Sequence, residues 1–176
     1  LPEDMLASQA VVADAKPCKR VKPHPGVADM EQLRDLLEQA QKPMIILGGG
    51  DWSAPACNDI RAFIETNNLP AGCSFRRQDL LDNRHPNYIG DVGVGINPKL
   101  AQRIREADLV LAIGPRLGEM TTSGYTLLTA PVPQQALVHV HAGIEELGRV
   151  YQPSLATNAG IPQFAAIMGN CVAGGG

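Results

Sequence analysis

Two apolar patterns alternate along the chain. Met44-Ile45-Ile46-Leu47 and Leu109-Val110-Leu111-Ala112-Ile113 are unbroken apolar runs, the pattern of strands buried on both faces of a parallel sheet. Around them, apolar residues recur three and four apart: Met30, Leu33, Leu36, Leu37 and Ala40, then Ile60, Phe63 and Ile64, then Leu100, Ile104 and Ala107. Each set forms one stripe of a helix. Asp29, Ser53 and Asn97 are placed to cap these helices, with Pro55 and Pro98 tolerated in the first turn. Shorter strands are predicted at Ala71–Phe75, Ala136–His141 and Leu155–Asn158, and a short helix at Pro162–Met168. Gln78–Pro86 reads as irregular, Tyr88–Gly95 as a glycine-rich turn, Glu145-Glu146 as the start of a short helix, and Gly174–Gly176 as a frayed end.

On this reading helix and strand alternate throughout. The fold class that follows is α/β, an open, mostly parallel sheet with right-handed crossovers. Ligands of such sheets sit at the carboxyl ends of the strands, where the strand order reverses. Three glycine turns lie near such ends: Gly48–Gly50, Gly90–Gly95 and Gly114–Gly118. They converge on one crevice if strands 43–47 and 108–113 are neighbours.

Composition narrows the function. The 176 residues are 44% hydrophobic but only 4% aromatic, enough for one aliphatic core. A net charge of -3, with aromatic residues not interleaved with basic ones, argues against a nucleic-acid partner. No apolar run approaches the length of a membrane span. Cys18, Cys57, Cys73 and Cys171 are scattered with no Cys-x-x-Cys pair, which disfavours zinc and points to free thiols in the cytoplasm. Lys16–Gly26, basic and carrying three prolines, reads as an extended connector. The first residue is Leu1, which fits a piece of a larger protein.

The candidate chemistry is incomplete. Gly48 and Gly50 match the first two glycines of a dinucleotide fingerprint, but Ser53 stands at the third, and Arg76-Arg77 stand where an acid is expected. Those arginines suit a 2′-phosphate, which keeps an NADP-dependent oxidoreductase among the readings. Arg116, just beyond a buried strand, is placed to meet a phosphate or to pair with Glu119 or another domain. The amino end of the helix at Pro98 is a further source of anion-binding N–H groups. His139 and His141 alternate on one strand with no third metal ligand nearby, so both read as satisfied strand-end residues. There is no Gly-x-Ser-x-Gly, Walker lysine or His-Glu-x-x-His.

One ordered set of segments carries a resemblance. Pro-Met-Ile-Ile-Leu-Gly-Gly-Gly (43–50), Gly-Asp-Val-Gly (90–93), Ala-Asp-Leu-Val-Leu-Ala-Ile-Gly-Pro-Arg-Leu-Gly-Glu (107–119) and Leu-Val-His-Val-His (137–141) followed by Glu-Glu-Leu-Gly-Arg-Val-Tyr (145–151) resemble the central domain of thiamine-diphosphate-dependent enzymes, in the acetolactate synthase-like branch. The match covers about residues 29–170. Leu1–Asp4 resembles the last strand of a preceding pyrimidine-binding domain, residues 5–28 a linker, and residues 171–176 a tail.

The resemblance implies a Rossmann-like parallel sheet of about six strands with helices on both faces, one strand more than the pattern alone supplies. It implies a parent enzyme, homo-oligomeric in the manner of its family, that decarboxylates or ligates 2-keto acids. Thiamine diphosphate and magnesium would be held by the flanking pyrimidine- and diphosphate-binding domains, so this chain alone would be inert. Some relatives bind FAD or ADP in this domain, through the glycine turn, a Gly-Ala-Arg-Phe-Asp-Asp segment and an acid after the fifth strand. Gly114 and Arg116 match that segment, whereas Gly118 replaces its first Asp and Met120 a further arginine. His141 and Gly143 stand where the family has acids. Losing a ribose-binding acid removes a charge-assisted hydrogen bond worth ~1.5–3 kcal/mol. The nucleotide crevice implied here comprises Gly48, Gly49, Gly50, Gly93, Gly114, Arg116 and His141. The reading is a non-catalytic central domain whose crevice is vestigial, with a functional FAD or ADP module as the alternative.

Overall fold

The computed structural model describes residues 2–19 and 21–169. Cys171 and the tail 171–176 lie outside the described residues. In chain order the elements are α1 (Glu3–Ala7), α2 (Val27–Gln39), β1 (Pro43–Leu47), α3 (Ala54–Thr66), β2 (Ala71–Ser74), β3 (Tyr88–Val92), α4 (Pro98–Glu106), β4 (Leu109–Ile113), β5 (Ala136–His141), β6 (Leu155–Asn158) and α5 (Ile161–Met168). Short 3₁₀ turns lie at Gln78–Leu80 and Ile144–Glu146.

The six strands form one sheet in the order β3-β2-β1-β4-β5-β6. All five pairings are parallel. This is the α/β Rossmann-like architecture the sequence predicts, and β1 and β4 are indeed neighbours, with Leu47 opposite Ile113. Residues of β1 divide by parity. Ile45 and Leu47 join the core under α2, α3 and α5, with Phe63, Ile64 and Phe164. Met44 and Ile46 join the core under α4, with Leu100, Ile104 and Leu128. Burial on both faces is what the unbroken apolar runs encode, at roughly 1.5–3 kcal/mol for each large side chain removed from water.

Polar groups fix the frame. The Asp108 carboxylate accepts from the backbone N–H groups of Gln41 (2.6 Å) and Lys42 (2.9 Å), tying the start of β1 to that of β4. Buried Gln135 donates to the carbonyls of Ile104 (3.1 Å) and Arg105 (3.0 Å), satisfying the open carboxyl end of α4. Ser53 accepts from Ala56 N–H and Asn97 from Lys99 N–H, as the capping pattern predicts.

Four expectations are corrected. Tyr88–Val92 is a strand rather than part of a turn. Gly90 and Asp91 have low strand propensity, but β3 is an edge strand and its register with β2 shifts between Ala71 and Gly72, a place where glycine is tolerated. Helices do not alternate with strands throughout: turns alone span the residues between β4 and β5. The second helix begins at Val27 behind Gly26, so Asp29 sits inside its first turn, where a carboxylate complements the helix dipole, rather than at its cap. Residues 3–7 form a short exposed helix rather than a strand end, with Glu3 and Asp4 in its first turn.

Candidate functional site

The turns after β1 and β4 lie side by side because their strands are paired. Gly48 N–H donates to Ile113 O (3.1 Å), and Gly114 N–H donates to Val140 O (2.8 Å), extending the ladder past the strand ends. Gly49 has φ +70 and Gly114 φ +84. A Cβ on Gly49 would run into the carbonyl of Gly114, and one on Gly48 into the Ser74 hydroxyl and, at 2.7 Å, Pro115. Gly93, at φ +129, similarly abuts the Met120 carbonyl. The indole N–H of Trp52 donates to Gly48 O at 2.7 Å and pins the first turn from the other side. The bare faces of Gly48, Gly49, Gly93 and Gly114 are thus covered by neighbouring loops of the same chain. Gly50, Gly95 and Gly118 have open space where a Cβ would be.

Arg116 does reach the carboxyl end of β4, but its guanidinium pairs with Glu146 (2.9 Å), not Glu119. Arg149 meets the same carboxylate oxygen at 3.0 Å. Burial pushes the Glu146 carboxyl up, but Arg116 and Arg149 more than offset this and hold it below its ordinary value. Beside this trio lies a cavity of about 160 Å³, walled also by Tyr125, His139 and Tyr151.

His139 is 2% exposed and its Nε2 lies 2.9 Å from Pro115 O, which makes Nε2 the protonated nitrogen. Burial holds its pKa below the ordinary histidine value, and the Pro115 hydrogen bond only partly opposes this. His141 accepts from Gly143 N–H at Nδ1 (3.0 Å), and its ring centre is 6.0 Å from that of His139. Among the described residues no cluster of three or more His, Cys, Asp or Glu is arranged to hold a metal.

The other anion-binding candidates lie apart from this cavity. Arg77 donates to Asp79 (3.2 Å), and the Arg76 guanidinium lies 5.1 Å over the Phe75 ring. The amino end of α4 opens on a different cavity, beside β3, walled by Asp91, Lys99 and Arg103. Cys18, Cys57 and Cys73 are free, and burial pushes the Cys73 thiol up to about 12, so it stays protonated and inert. No helix among the described residues is long and apolar enough to cross a membrane.

The model of the thiamine pyrophosphate enzyme central domain matches residues 30–168. The chain belongs to that family. Among curated proteins this central domain is 29% identical over 129 residues to the large subunit of acetolactate synthase isozyme 2 of Escherichia coli K12, covering 73% of this chain and 23% of that one. It is 31% identical over 103 residues to 3D-(3,5/4)-trihydroxycyclohexane-1,2-dione hydrolases of Bacillus cereus AH820 and Bacillus thuringiensis Al Hakam, covering 58% of this chain and 16% of each of those. The chain therefore spans less than a quarter of the length of these relatives.

Of the residues the sequence singles out, Gly48, Gly49 and Gly114 are in mutual contact, Arg116 follows them, and Gly93 meets the loop after β4. His141 sits at the end of β5, where Asn158 donates to its carbonyl at 3.0 Å. Sequence reasoning misses Glu146 as the partner of Arg116, and Tyr151 as a buried polar wall of the cavity. The three-residue spacing of Glu146 and Arg149 signals their own pairing. Nothing in the local sequence signals a partner thirty positions before Glu146.

Proposed function

We propose that this chain is the non-catalytic central domain of a thiamine-diphosphate-dependent enzyme acting on 2-keto acids by decarboxylation or carboligation. Residues 1–28 connect to a preceding domain and residues 29–170 form the domain proper. Its role is to hold the pyrimidine- and diphosphate-binding domains in register and to contribute to subunit contacts in a homo-oligomer of cytoplasmic location. Thiamine diphosphate and magnesium belong to those flanking domains. The observation that carries this reading is the packing of the glycine turns: Gly49 on Gly114 and Gly93 on Met120 leave these glycines explained by loop contact rather than by a bound nucleotide. The residues around Arg116 and Glu146 hold no nucleophile paired with a base.

The reading predicts that the chain, titrated calorimetrically with thiamine diphosphate and magnesium, gives no saturable heat and releases no carbon dioxide from pyruvate. Saturable binding or turnover by this chain alone overturns it. A second reading, an FAD or ADP module, is favoured by the open space at Gly50 and Gly118 and by the 65% exposure of the Arg116 side chain at the strand end. The NADP oxidoreductase reading has little support, since Arg76 and Arg77 already have local partners.

A further inference from the structure

We propose that His85 is a pH-sensitive latch on the connector between β2 and β3: the neutral ring holds the Asn87 backbone, and the imidazolium lets that backbone go and keeps Glu65. The geometry of the ring carries this. Pro86 has no N–H to offer, so Asn87 supplies the first amide after the ring. That N–H points at Nδ1 of His85, 3.2 Å away. A backbone N–H only donates, so Nδ1 presents a lone pair and the ring proton sits on Nε2. Nε2 lies 3.0 Å from Oε1 of Glu65, on α3. The His85 side chain is 11% exposed, so the protein supplies both contacts. Only the neutral ring can make the two together, because an imidazolium donates at both nitrogens. An added proton goes to Nδ1 and leaves two N–H groups facing each other at Asn87. The same proton turns the Glu65 contact into an ion pair.

What Asn87 holds gives the latch its reach. Its carbonyl accepts from Ala71 N–H at 2.9 Å, and its side-chain amide donates to Asn68 Oδ1 at 3.0 Å. Ala71 is paired with Tyr88 at the start of β3, and the register of the two strands shifts just beyond it. β3 has β2 as its one neighbour, so this corner fixes where the edge strand begins. The charges around the ring are balanced. From α3, Glu65 faces it, with Arg61 3.9 Å from the same carboxylate oxygen. On its own loop Asp82 lies close and is paired with Arg84 at 3.1 Å. From β3, the Tyr88 phenol turns away to Asp91 at 2.7 Å. Each carboxylate near the ring thus has an arginine partner, which tempers its pull on the imidazolium.

The test follows the 176-residue chain by heteronuclear NMR from about pH 8 to about pH 5, the range in which imidazole changes charge. The Asn87 amide proton should move upfield, towards the shift of an unbonded amide, with the same midpoint as the His85 ring signals. Its protection against hydrogen exchange, taken relative to the free-peptide rate at each pH, should fall roughly fivefold, the weight of one ordinary hydrogen bond. His85→Asn places a side-chain oxygen within reach of the same N–H and does not titrate, so Asn87 should stay bonded across the range. Glu65→Gln still accepts from Nε2 but no longer favours the charged ring, so the transition should move to lower pH. An Asn87 amide that stays put while the His85 ring takes up its proton overturns the proposal. So do a ring that stays unprotonated throughout, a pH response that survives in His85→Asn, and a transition that Glu65→Gln leaves in place. If His85→Asn does not fold, the titrations of the unaltered chain and of Glu65→Gln decide.

Discussion

At the scale of single residues, Glu146 matters most. Its carboxylate gathers Arg116 and Arg149, which lie on loops after different strands, and so joins the end of β4 to that of β5. Its folded pKa lies below the ordinary value of 4.5. A carboxylate with a depressed folded pKa stabilises the fold fully above its unfolded value, and that contribution is lost as the pH falls through the folded value. Glu146→Gln should therefore lower stability at neutral pH by up to about 1 kcal/mol, the small figure reflecting arginines that are more than half exposed. The deficit should shrink as the pH falls below 4.5. Chemical denaturation of both proteins across that range checks it; a deficit that does not change with pH would separate Glu146 from the effect.

At the scale of elements, the first glycine turn shows how one local sequence serves several physical demands. Gly49 has φ +70 and its bare face meets the Gly114 backbone, whereas Gly50 faces open space. Gly49→Ala therefore adds both strain and a backbone clash, and should cost at least about 2 kcal/mol. Gly50→Ala should be neutral or stabilise by up to about 1 kcal/mol, through the unfolded chain. Unfolding midpoints of the two variants test this, and equal losses would refute the packing account of the turn. The three adjacent glycines look alike in sequence; only the approach of Gly114, sixty-odd positions away, tells them apart.

The same contrast explains which elements the sequence reveals. β1 and β4 are legible because burial on both faces writes an unbroken apolar run. α3 and α4 are legible from stripe and cap together, through Ser53 and Asn97. β3 is hidden, because an edge strand with a shifted register tolerates Gly90 and Asp91, which otherwise signal a turn. The long turn region after β4 is hidden for the opposite reason. Leu117, Leu127 and Leu128 cover the sheet there without any helical spacing to announce them. Arg116 is found by its place after a buried strand, whereas its pairing with Glu146 depends on β4 lying beside β5.

At the scale of the whole molecule, the strand order β3-β2-β1-β4-β5-β6 puts every turn discussed here at one end of the sheet, with the reversal between β1 and β4. Family membership agrees with that architecture, and the chain spans 23% or less of its relatives' length. The central claim is that this end of the sheet is closed by its own loops. A nucleotide that binds only the folded chain must stabilise it, by about 2.7 kcal/mol at 100 times its Kd. The most direct measurement is thermal unfolding in phosphate-free buffer with FAD, ADP, coenzyme A or NADP at tens of micromolar. The account predicts an unchanged midpoint with all four. A rise with any of them would contradict it.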